Sequence, residues 1–149
     1  MTIEIRPCRK DDLRIVHELS AQYASFDASP TLADTEGLYA RSPEYFYVAV
    51  QDSGSVIGFI TGYERKGIPD EVLRNWNASR VGYIDLMAVS VSNRRRGVGS
   101  SLLNKLLETF RANEIDMVIL DVPAEQKPAV RLYEKSGFEV RAFNMRKYL

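Results

Sequence analysis

A short run of arginine and glycine residues, positions 94–100, has the composition of an anion-binding loop. Its sequence is RRRGVGS, and it lies between an apolar stretch, Val81 to Val91, and a segment from Gly97 to Phe110 whose apolar residues recur at helical spacing. A strand that turns through glycines into a helix leaves several backbone N–H groups unpaired at the positive end of the helix dipole. The glycines let a ligand approach the backbone, and the arginines supply forked donors that match phosphate oxygens. The sequence therefore predicts a site for a phosphate or a pyrophosphate at this turn.

A single carboxylate interrupts the apolar stretch before this loop. Asp85 lies between Tyr83 and Val89, among residues that are otherwise apolar. Burying a carboxylate costs free energy unless it is paired or exposed to a cleft. Asp85 is therefore a candidate functional residue that faces a cleft, and a buried ion pair and a strand-edge position are the alternatives.

The composition limits the class of protein that can present these residues. The chain has 149 residues, of which 45% are apolar and 27% charged, and its 20 basic and 20 acidic side chains cancel. These values predict one domain over residues 1–149, and the balanced charge argues against a nucleic-acid-binding module. The single cysteine, Cys8, fits a reducing compartment and is expected to be a small buried residue, and no His and Cys residues have the spacing of a metal site. We find neither an apolar run long enough to span a membrane nor a secretory signal, so we expect a cytoplasmic protein without a metal.

An alternation of strand and helix patterns must position the loop and Asp85. Strands are predicted at 3–6, 45–51, 56–64, 81–91, 115–122, 138–140 and 143–148, the last two closing around Arg141 and Ala142. Helices are predicted at 11–23, 32–40, 69–76, 97–110 and 126–136, the last ending at Gly137. Because a helix crosses over between them, strand 115–122 should lie parallel to strand 81–91. This order predicts a mixed α/β sheet flanked by helices.

Two motifs resemble those of the GCN5-related N-acetyltransferase (GNAT) family. Arg94-x-x-Gly97-x-Gly99, after a strand and before a helix, resembles the family's acyl-CoA loop. Leu132-Tyr133-Glu134-Lys135 followed by Gly137-Phe138 resembles its closing signature, and the resemblance spans nearly the whole chain. It implies the acyl-CoA N-acyltransferase fold, whose central mixed sheet is splayed between the fourth and fifth strands. It also implies transfer of an acetyl group from acetyl-CoA to a primary amine by direct attack.

The resemblance further implies a set of contacts with acetyl-CoA. Backbone atoms at the end of the central strand would hold the pantetheine arm and polarise the thioester carbonyl. The implied cofactor-binding residues are Met87, Ala88, Val89, Arg94, Arg95, Arg96, Gly97, Val98, Gly99, Ser100, Gln126 and Tyr133. Gln126 stands where the family commonly has Asn, and its longer side chain leaves that contact open.

Tyr133 and Asp85 are the implied catalytic residues. Tyr133 matches the tyrosine that faces the CoA sulfur and can protonate the leaving thiolate, and the alternative is a helix tyrosine packed on the sheet. Asp85 lies where the family often places an acid, which implies a role as the base or as an anchor for the amine. Asp121 and Glu64 are competing carboxylates, and Tyr83 can relay a proton through water.

The acceptor is the least specified part of the predicted site. In this fold the acceptor groove would be lined by the first two helices, the segment before the central strand and the closing hairpin, which include Tyr23, Phe26, Asp27, Asp34, Glu36, Tyr39 and Trp76. Aromatic rings mixed with acids suit a cationic amine, so a small-molecule amine is slightly preferred. A protein lysine, a protein N-terminus and a non-catalytic acyl-CoA-binding role stay open as alternatives. Dimerisation is common in the family, and the closing hairpin offers a surface for a homodimer.

Overall fold

Five strands form a single sheet in the computed structural model, which describes residues 2–23, 27–94 and 96–149. They are β1 (Ile3–Pro7), β2 (Phe46–Gln51), β3 (Val56–Arg65), β4 (Val81–Val89) and β5 (Met117–Leu120), and they lie side by side in chain order. Neighbouring strands are antiparallel except for β4 and β5, which are parallel. The mixed sheet and its parallel pair confirm the predicted α/β class.

Five α-helices accompany the strands within the described residues. They are α1 (Leu13–Tyr23), α2 (Leu32–Arg41), α3 (Asp70–Trp76), α4 (Val98–Ala112) and α5 (Lys127–Lys135). Their bounds lie within two residues of the predicted ones because caps and breakers mark them in the sequence. Thr31 caps α2, since its hydroxyl accepts a hydrogen bond from the Asp34 N–H, and Asp34 accepts one from the Thr31 N–H in return. In the described part of the chain, no helix combines the length and the apolarity that crossing a bilayer requires.

The sheet has helices on both faces, and each face has its own apolar core. On one face lie α4 and α5, and α4 contributes four fully buried side chains, Leu102, Leu103, Leu106 and Phe110. On the other face lie α1 and α2, and α1 contributes Leu13, Val16 and Leu19. The tight packing of α4 fixes the turn that leads into it from the end of β4.

The single cysteine belongs to the core on the α1 face. Only 6% of Cys8 is exposed. Burial raises the pKa of its thiol to about 12, so the thiol stays protonated at neutral pH. This confirms the expected role of a small buried residue.

The two predicted closing strands at 138–140 and 143–148 are absent, so that prediction was wrong. Residues 138–149 form no strand, and Phe143, Met145 and Tyr148 are more than 80% exposed. A two-residue hairpin turn needs residues that accept a positive φ, which are mainly glycine, asparagine and aspartate. Arg141 and Ala142 do not meet this requirement. In the described residues the sheet therefore ends at β5.

Candidate active site

The sheet opens between β4 and β5. The two strands pair only from Val81 to Ile84 on β4 and from Met117 to Leu120 on β5. Beyond that point β4 continues from Asp85 to Val89, and no described residue pairs with it on the β5 side. This gap, the β4–β5 opening, is the splay between the fourth and fifth strands that the family resemblance implied.

A β-bulge places Asp85 where the opening begins. In the ladder between β3 and β4, Gly62 pairs with Ile84 and Thr61 pairs with Leu86, so Asp85 is an extra residue in β4. A bulge bends the strand and redirects a side chain. Ile84 packs in the core on the α4 face, whereas Leu86 packs against the core on the α1 face. Residues two apart in a regular strand share a face, so the change of face confirms the bulge.

Asp85 is both paired and partly open to solvent. Its Oδ2 accepts a hydrogen bond of 3.0 Å from Nη2 of Arg41, the last residue of α2, and its side chain is 30% exposed. The guanidinium of Arg41 also lies 3.9 Å from the centre of the Tyr63 ring. The two sequence interpretations of Asp85 are therefore compatible, because the carboxylate has an ion-pair partner and still faces the opening.

Tyr83 and Asp121 form a second pair beside Asp85. The Tyr83 hydroxyl donates a hydrogen bond of 2.6 Å to Asp121 Oδ2, across the point where β5 ends. Burial, together with this hydrogen bond, raises the pKa of the Tyr83 phenol above its ordinary value, so it stays protonated. The Tyr63 and Tyr83 ring centres are 5.3 Å apart. We call these residues the splay cluster: Arg41, Tyr63, Tyr83, Asp85 and Asp121.

Glu64, the third candidate carboxylate, belongs to a different contact. Both of its oxygens accept hydrogen bonds from the Arg80 guanidinium, at 2.6 and 3.0 Å. These hydrogen bonds hold the pKa of Glu64 below its usual value. Glu64 is thus an ionised partner of Arg80 that links the ends of β3 and β4, and it is poorly suited to be a base.

Tyr133 combines a buried ring with an accessible hydroxyl. The residue is 8% exposed, and its ring packs edge-on against Phe138 with centres 5.6 Å apart. Within the described residues, no side chain or backbone group hydrogen-bonds the Tyr133 hydroxyl, and no buried side-chain polar atom lacks a partner, so this oxygen must reach solvent. Burial raises the pKa of the phenol to about 12. The hydroxyl is thus a protonated donor without a protein partner in this part of the chain.

The two glycines of the loop have different structural roles. Gly97 precedes α4 with a φ of 76°, and nothing lies within 4 Å of the Cβ that another residue would have there. A Cβ on Gly99 would lie 3.2 Å from Leu132 of α5, so this glycine allows α4 and α5 to pack closely. The first helical hydrogen bond runs from the Ser101 N–H to the Gly97 carbonyl. The N–H groups of Val98, Gly99 and Ser100 come before it and therefore have no partner within the helix.

Arg94, the first residue of the loop, lies at the far end of the β4–β5 opening. Arg94 donates from Nε to the Val89 carbonyl at 3.2 Å, and its guanidinium lies 5.0 Å from the centre of the Tyr23 ring. Arg96 is exposed. Arg95 falls outside the described residues, as does Phe26 of the predicted acceptor groove.

The remaining predicted cofactor residues flank the same opening. Met87 and Val89 are half-buried on the α4 face and approach Gly99, whereas Ala88 is buried on the opposite face. Gln126 is exposed and immediately precedes α5, and it makes no side-chain cap. The structure therefore brings the loop, the free end of β4 and the start of α5 together, and the roles of these residues stay predictions.

Several residues of the predicted acceptor groove have structural partners instead. Asp34 caps α2, the Tyr39 ring packs edge-on against Phe46, and Trp76 lies under the Arg141 guanidinium. The sequence analysis missed Arg41 and Tyr63, because neither lies in a recognisable motif and both reach the site through the fold. Among the described residues, no three His, Cys, Asp or Glu side chains are grouped as metal ligands would be.

Comparison with known proteins identifies the family. Residues 13–138 match the model of the acetyltransferase (GNAT) family. The chain belongs to this family. That result confirms the family and the fold class predicted from the sequence.

The similar proteins include N-alpha-acetyltransferases and aminoglycoside N-acetyltransferases. N-alpha-acetyltransferase 30 of Xenopus laevis is 37% identical over 59 residues, which cover 40% of this chain and 22% of that protein, so the match spans about a fifth of its length. Aminoglycoside N(6')-acetyltransferase type 1 of Klebsiella pneumoniae is 27% identical over 150 residues, which cover 93% of this chain and 74% of that protein. The crystal structure of the NatC complex bound to Gag peptide and CoA has a TM-score of 0.81 at 22% identity, covering 95% of this chain and 87% of that chain. At that identity the likeness shows the fold alone.

Proposed function

We propose that the protein transfers an acetyl group from acetyl-CoA to a primary amine, with a small-molecule amine as the preferred acceptor. The observation on which this rests is the β4–β5 opening. At one end it has a helix start whose N–H groups suit an anion, and at the other it has the carboxylates and tyrosines of the splay cluster. A donor and an acceptor held at the two ends of one opening would meet between them, which supplies much of the rate of a direct transfer.

The loop has the chemistry to hold acetyl-CoA, which would supply the activated thioester. The amides of Val98, Gly99 and Ser100 lie at the positive end of a 15-residue helix and suit a pyrophosphate. The open space at Gly97 leaves room for that group. The unpaired edge of Met87 to Val89 offers backbone donors and acceptors to the pantetheine arm. The CoA bound by the NatC complex, a protein of the same fold, is consistent with this assignment.

Asp85 is proposed as the group that binds the amine and accepts its proton, directly or through water. An alkyl amine has a pKa of about 10.4 and must lose a proton before it can attack. Arg41 engages Oδ2 of Asp85, and Oδ1 has no hydrogen-bond partner among the described residues. Asp121, held by the Tyr83 hydroxyl, adds a second negative charge for a cationic acceptor.

Tyr133 is proposed as the acid that returns a proton to the leaving thiolate. Its hydroxyl is protonated at neutral pH and lacks a protein partner within the described residues. The closeness of Leu132 to Gly99 places α5 beside the helix start that would hold the pyrophosphate. A phenol is an effective acid toward a thiolate when water is excluded. The Tyr133 ring is already buried, and a bound acetyl-CoA would cover the hydroxyl that otherwise reaches solvent.

The preference for a small-molecule amine rests on the splay cluster and on the extent of one comparison. Two carboxylates beside two tyrosine rings suit a compact cation through ion pairs and cation–π contacts. The aminoglycoside acetyltransferase matches over 93% of this chain. A protein N-terminus is the second candidate, because the N-alpha-acetyltransferase match has the higher identity, although over fewer residues.

A thiol-release assay with two acceptor panels tests the proposal. One panel contains aminoglycosides, polyamines and amino acids, and the other contains peptides with free N-termini and peptides with an internal lysine and a blocked N-terminus. We expect faster CoA release with small-molecule amines, and release that depends on acetyl-CoA. Turnover of peptides alone would replace the preferred acceptor by the second candidate. The absence of release with either panel, together with CoA binding, would favour a non-catalytic role.

A further inference from the structure

The Arg41 guanidinium lies directly beside the carboxylate that is proposed to bind the amine. Its Nη2 is 3.0 Å from Oδ2 of Asp85, and its central carbon is 3.9 Å from the centre of the Tyr63 ring. Both side chains of this ion pair reach solvent, since 47% of Arg41 and 30% of Asp85 is exposed. An acceptor that approaches Asp85 therefore meets a fixed positive charge next to the negative one.

A second arginine flanks the splay cluster. Arg65, the last residue of β3, is exposed, and its guanidinium lies 5.9 Å from the centre of the Tyr83 ring. The two carboxylates of the cluster, Asp85 and Asp121, are therefore accompanied by two guanidinium groups. A polycation would have to approach these positive charges at a cost in free energy. An acceptor that has one ammonium group and one anionic group would find a partner of opposite sign for each.

The ion pair between Arg41 and Asp85 has unused hydrogen-bonding capacity on both sides. A guanidinium has five N–H donors. Within the described residues, the Arg41 side chain donates only from Nη2, and Oδ1 of Asp85 accepts no hydrogen bond. A planar guanidinium matches a carboxylate through two parallel hydrogen bonds, and Oδ1 matches an ammonium group. The pair can therefore bind an anionic group and a cationic group at adjacent points.

The short distance between these two charges limits the ligands that match both. Because Arg41 and Asp85 are in direct contact, the two charged groups of a ligand must also lie close together. The ammonium and carboxylate groups of an α-amino acid are attached to one carbon atom, whereas an acidic side chain of a peptide lies several bonds from the N-terminal amine. The carboxylate stays ionised at neutral pH, so its contact with Arg41 would persist while the amine gives its proton to Asp85.

We propose that Arg41 is a specificity-determining residue that selects α-amino acids among primary amines. Arg41 binds the carboxylate of the acceptor, and Asp85 binds its amino group. This role rests on the proposed acetyl transfer and narrows the acceptor to an amine with a carboxylate on the neighbouring carbon. Arg41 ends α2 and Asp85 is the extra residue of the β4 bulge, so two separate elements set the distance between the two contacts.

Paired acceptors test the role of Arg41 in the thiol-release assay. Each pair consists of an α-amino acid and its amide, which keeps the amine and the side chain but lacks the negative charge. We expect kcat/KM of the wild-type protein to be about 10-fold higher for the acid, mainly through KM, because the amide cannot form the charge-assisted hydrogen bonds. Arg41→Gln should abolish this preference. Equal values for acid and amide in the wild-type protein, or a preference that persists in Arg41→Gln, would overturn the proposal.

Arg111→Gln is the matched control. It removes the same charge from an exposed position in the last turn of α4, on the opposite face of the sheet from α2. The preference for the acid should be retained in this variant. Because Arg41 is partly exposed, its replacement should leave the fold intact, which circular dichroism checks. Loss of the preference in Arg111→Gln as well would indicate a general effect of charge and would overturn the role of Arg41.

Calorimetric binding in the presence of CoA separates the role of Arg41 from acetyl transfer, because CoA has no acetyl group to give. We expect the affinity to fall from α- to β- to γ-amino acids, since a larger separation prevents both contacts, and to lose this dependence in Arg41→Gln. Equal affinities along the series would overturn the binding of both charges by the ion pair. Acetylation of polyamines or aminoglycosides but not of amino acids would overturn the role of Arg41 and leave the proposed transfer intact. If no amine is acetylated, the transfer fails, whereas the predicted series of affinities would still support the contact with Arg41.

Discussion

Asp85 and Glu64 show how two carboxylates on neighbouring strands acquire different environments. Both have an arginine partner, but Glu64 has both oxygens bound to Arg80, whereas Asp85 contacts Arg41 through Oδ2 and faces the β4–β5 opening. The pairing of both oxygens leaves Glu64 little capacity to accept a proton from a substrate. The environment, more than the residue type, therefore separates a structural carboxylate from a functional one.

The substitution Asp85→Asn is expected to lower kcat/KM for the amine by about 10²-fold, because it removes the proton acceptor and one charge that attracts the amine. The binding of acetyl-CoA should be unchanged. Steady-state thiol release and a thermal-shift titration measure the two effects. Glu64→Gln is the control and should lower the unfolding temperature slightly without a comparable loss of activity. Equal losses of activity in the two variants would contradict the role of Asp85.

Tyr133→Phe should lower kcat by about 10²-fold and leave the fold intact, because only the hydroxyl is removed. Since burial raises the pKa of Tyr133 to about 12, the folded enzyme keeps this proton well above the ordinary phenol pKa of about 10. The ratio of wild-type to variant rate should therefore stay constant between neutral pH and about pH 10. Rate profiles of both proteins provide the measurement. A variant as active as the wild type would reduce Tyr133 to a packing residue.

At the level of elements, the start of α4 depends on a close contact with α5. Gly99→Ala should destabilise the protein by about 1 kcal/mol, because its Cβ would lie 3.2 Å from the Leu132 side chain, which would have to shift. The double variant Gly99→Ala/Leu132→Ala should cost less than the sum of the two single variants, because the smaller side chain makes room. Urea unfolding of the four proteins completes the cycle. Additive losses would show that the two helices do not meet at this point.

The elements also show where sequence patterns succeed and fail. The helices were predictable because caps, prolines and glycines mark their ends, as with Thr31 before α2 and Gly137 after α5. The final strands were predicted from an alternation of apolar and polar residues that is present in the sequence. A strand also needs a partner edge and a turn that returns the chain to it, and residues 141–142 lack the turn. The alternation of apolar and polar residues therefore indicates a preference for extended backbone, but it does not by itself produce a paired strand.

At the scale of the whole molecule, the two ends of the β4–β5 opening were not equally predictable. The loop at residues 94–100 is contiguous, so its composition alone indicates an anion site. The splay cluster is assembled from α2, β3, β4 and the residue after β5. Its two hydrogen bonds join residues 44 and 38 positions apart. Such contacts are fixed by the fold, which is why Arg41 and Tyr63 gave no signal in the sequence.

Binding of acetyl-CoA should raise the stability of the whole domain. A ligand present at about 100 times its dissociation constant stabilises the folded state by about 2.7 kcal/mol. For a domain of this size, each kcal/mol of stabilisation raises Tm by about 2–4 °C. Gly97→Glu should abolish the shift, because the new side chain would occupy the anion site. Gly54→Glu is the matched control, since Gly54 also has a positive φ and open space but lies in the β2–β3 turn. A shift that persists in Gly97→Glu would contradict the site.

The bulge at Asp85 also has a consequence for how this strand can change over evolutionary time. Before it, the even-numbered residues Gly82 and Ile84 face α4, and after it the odd-numbered residues Met87 and Val89 do. The bulge therefore sets the phase between the two halves of β4. Deletion of Asp85 would shift the alternation of faces by one residue and turn Met87 and Val89 toward the opposite core. Substitution of Asp85 would keep the alternation and change only the proposed proton acceptor. The two cores therefore require that a residue be present at this position, and the proposed chemistry separately requires that it be a carboxylate.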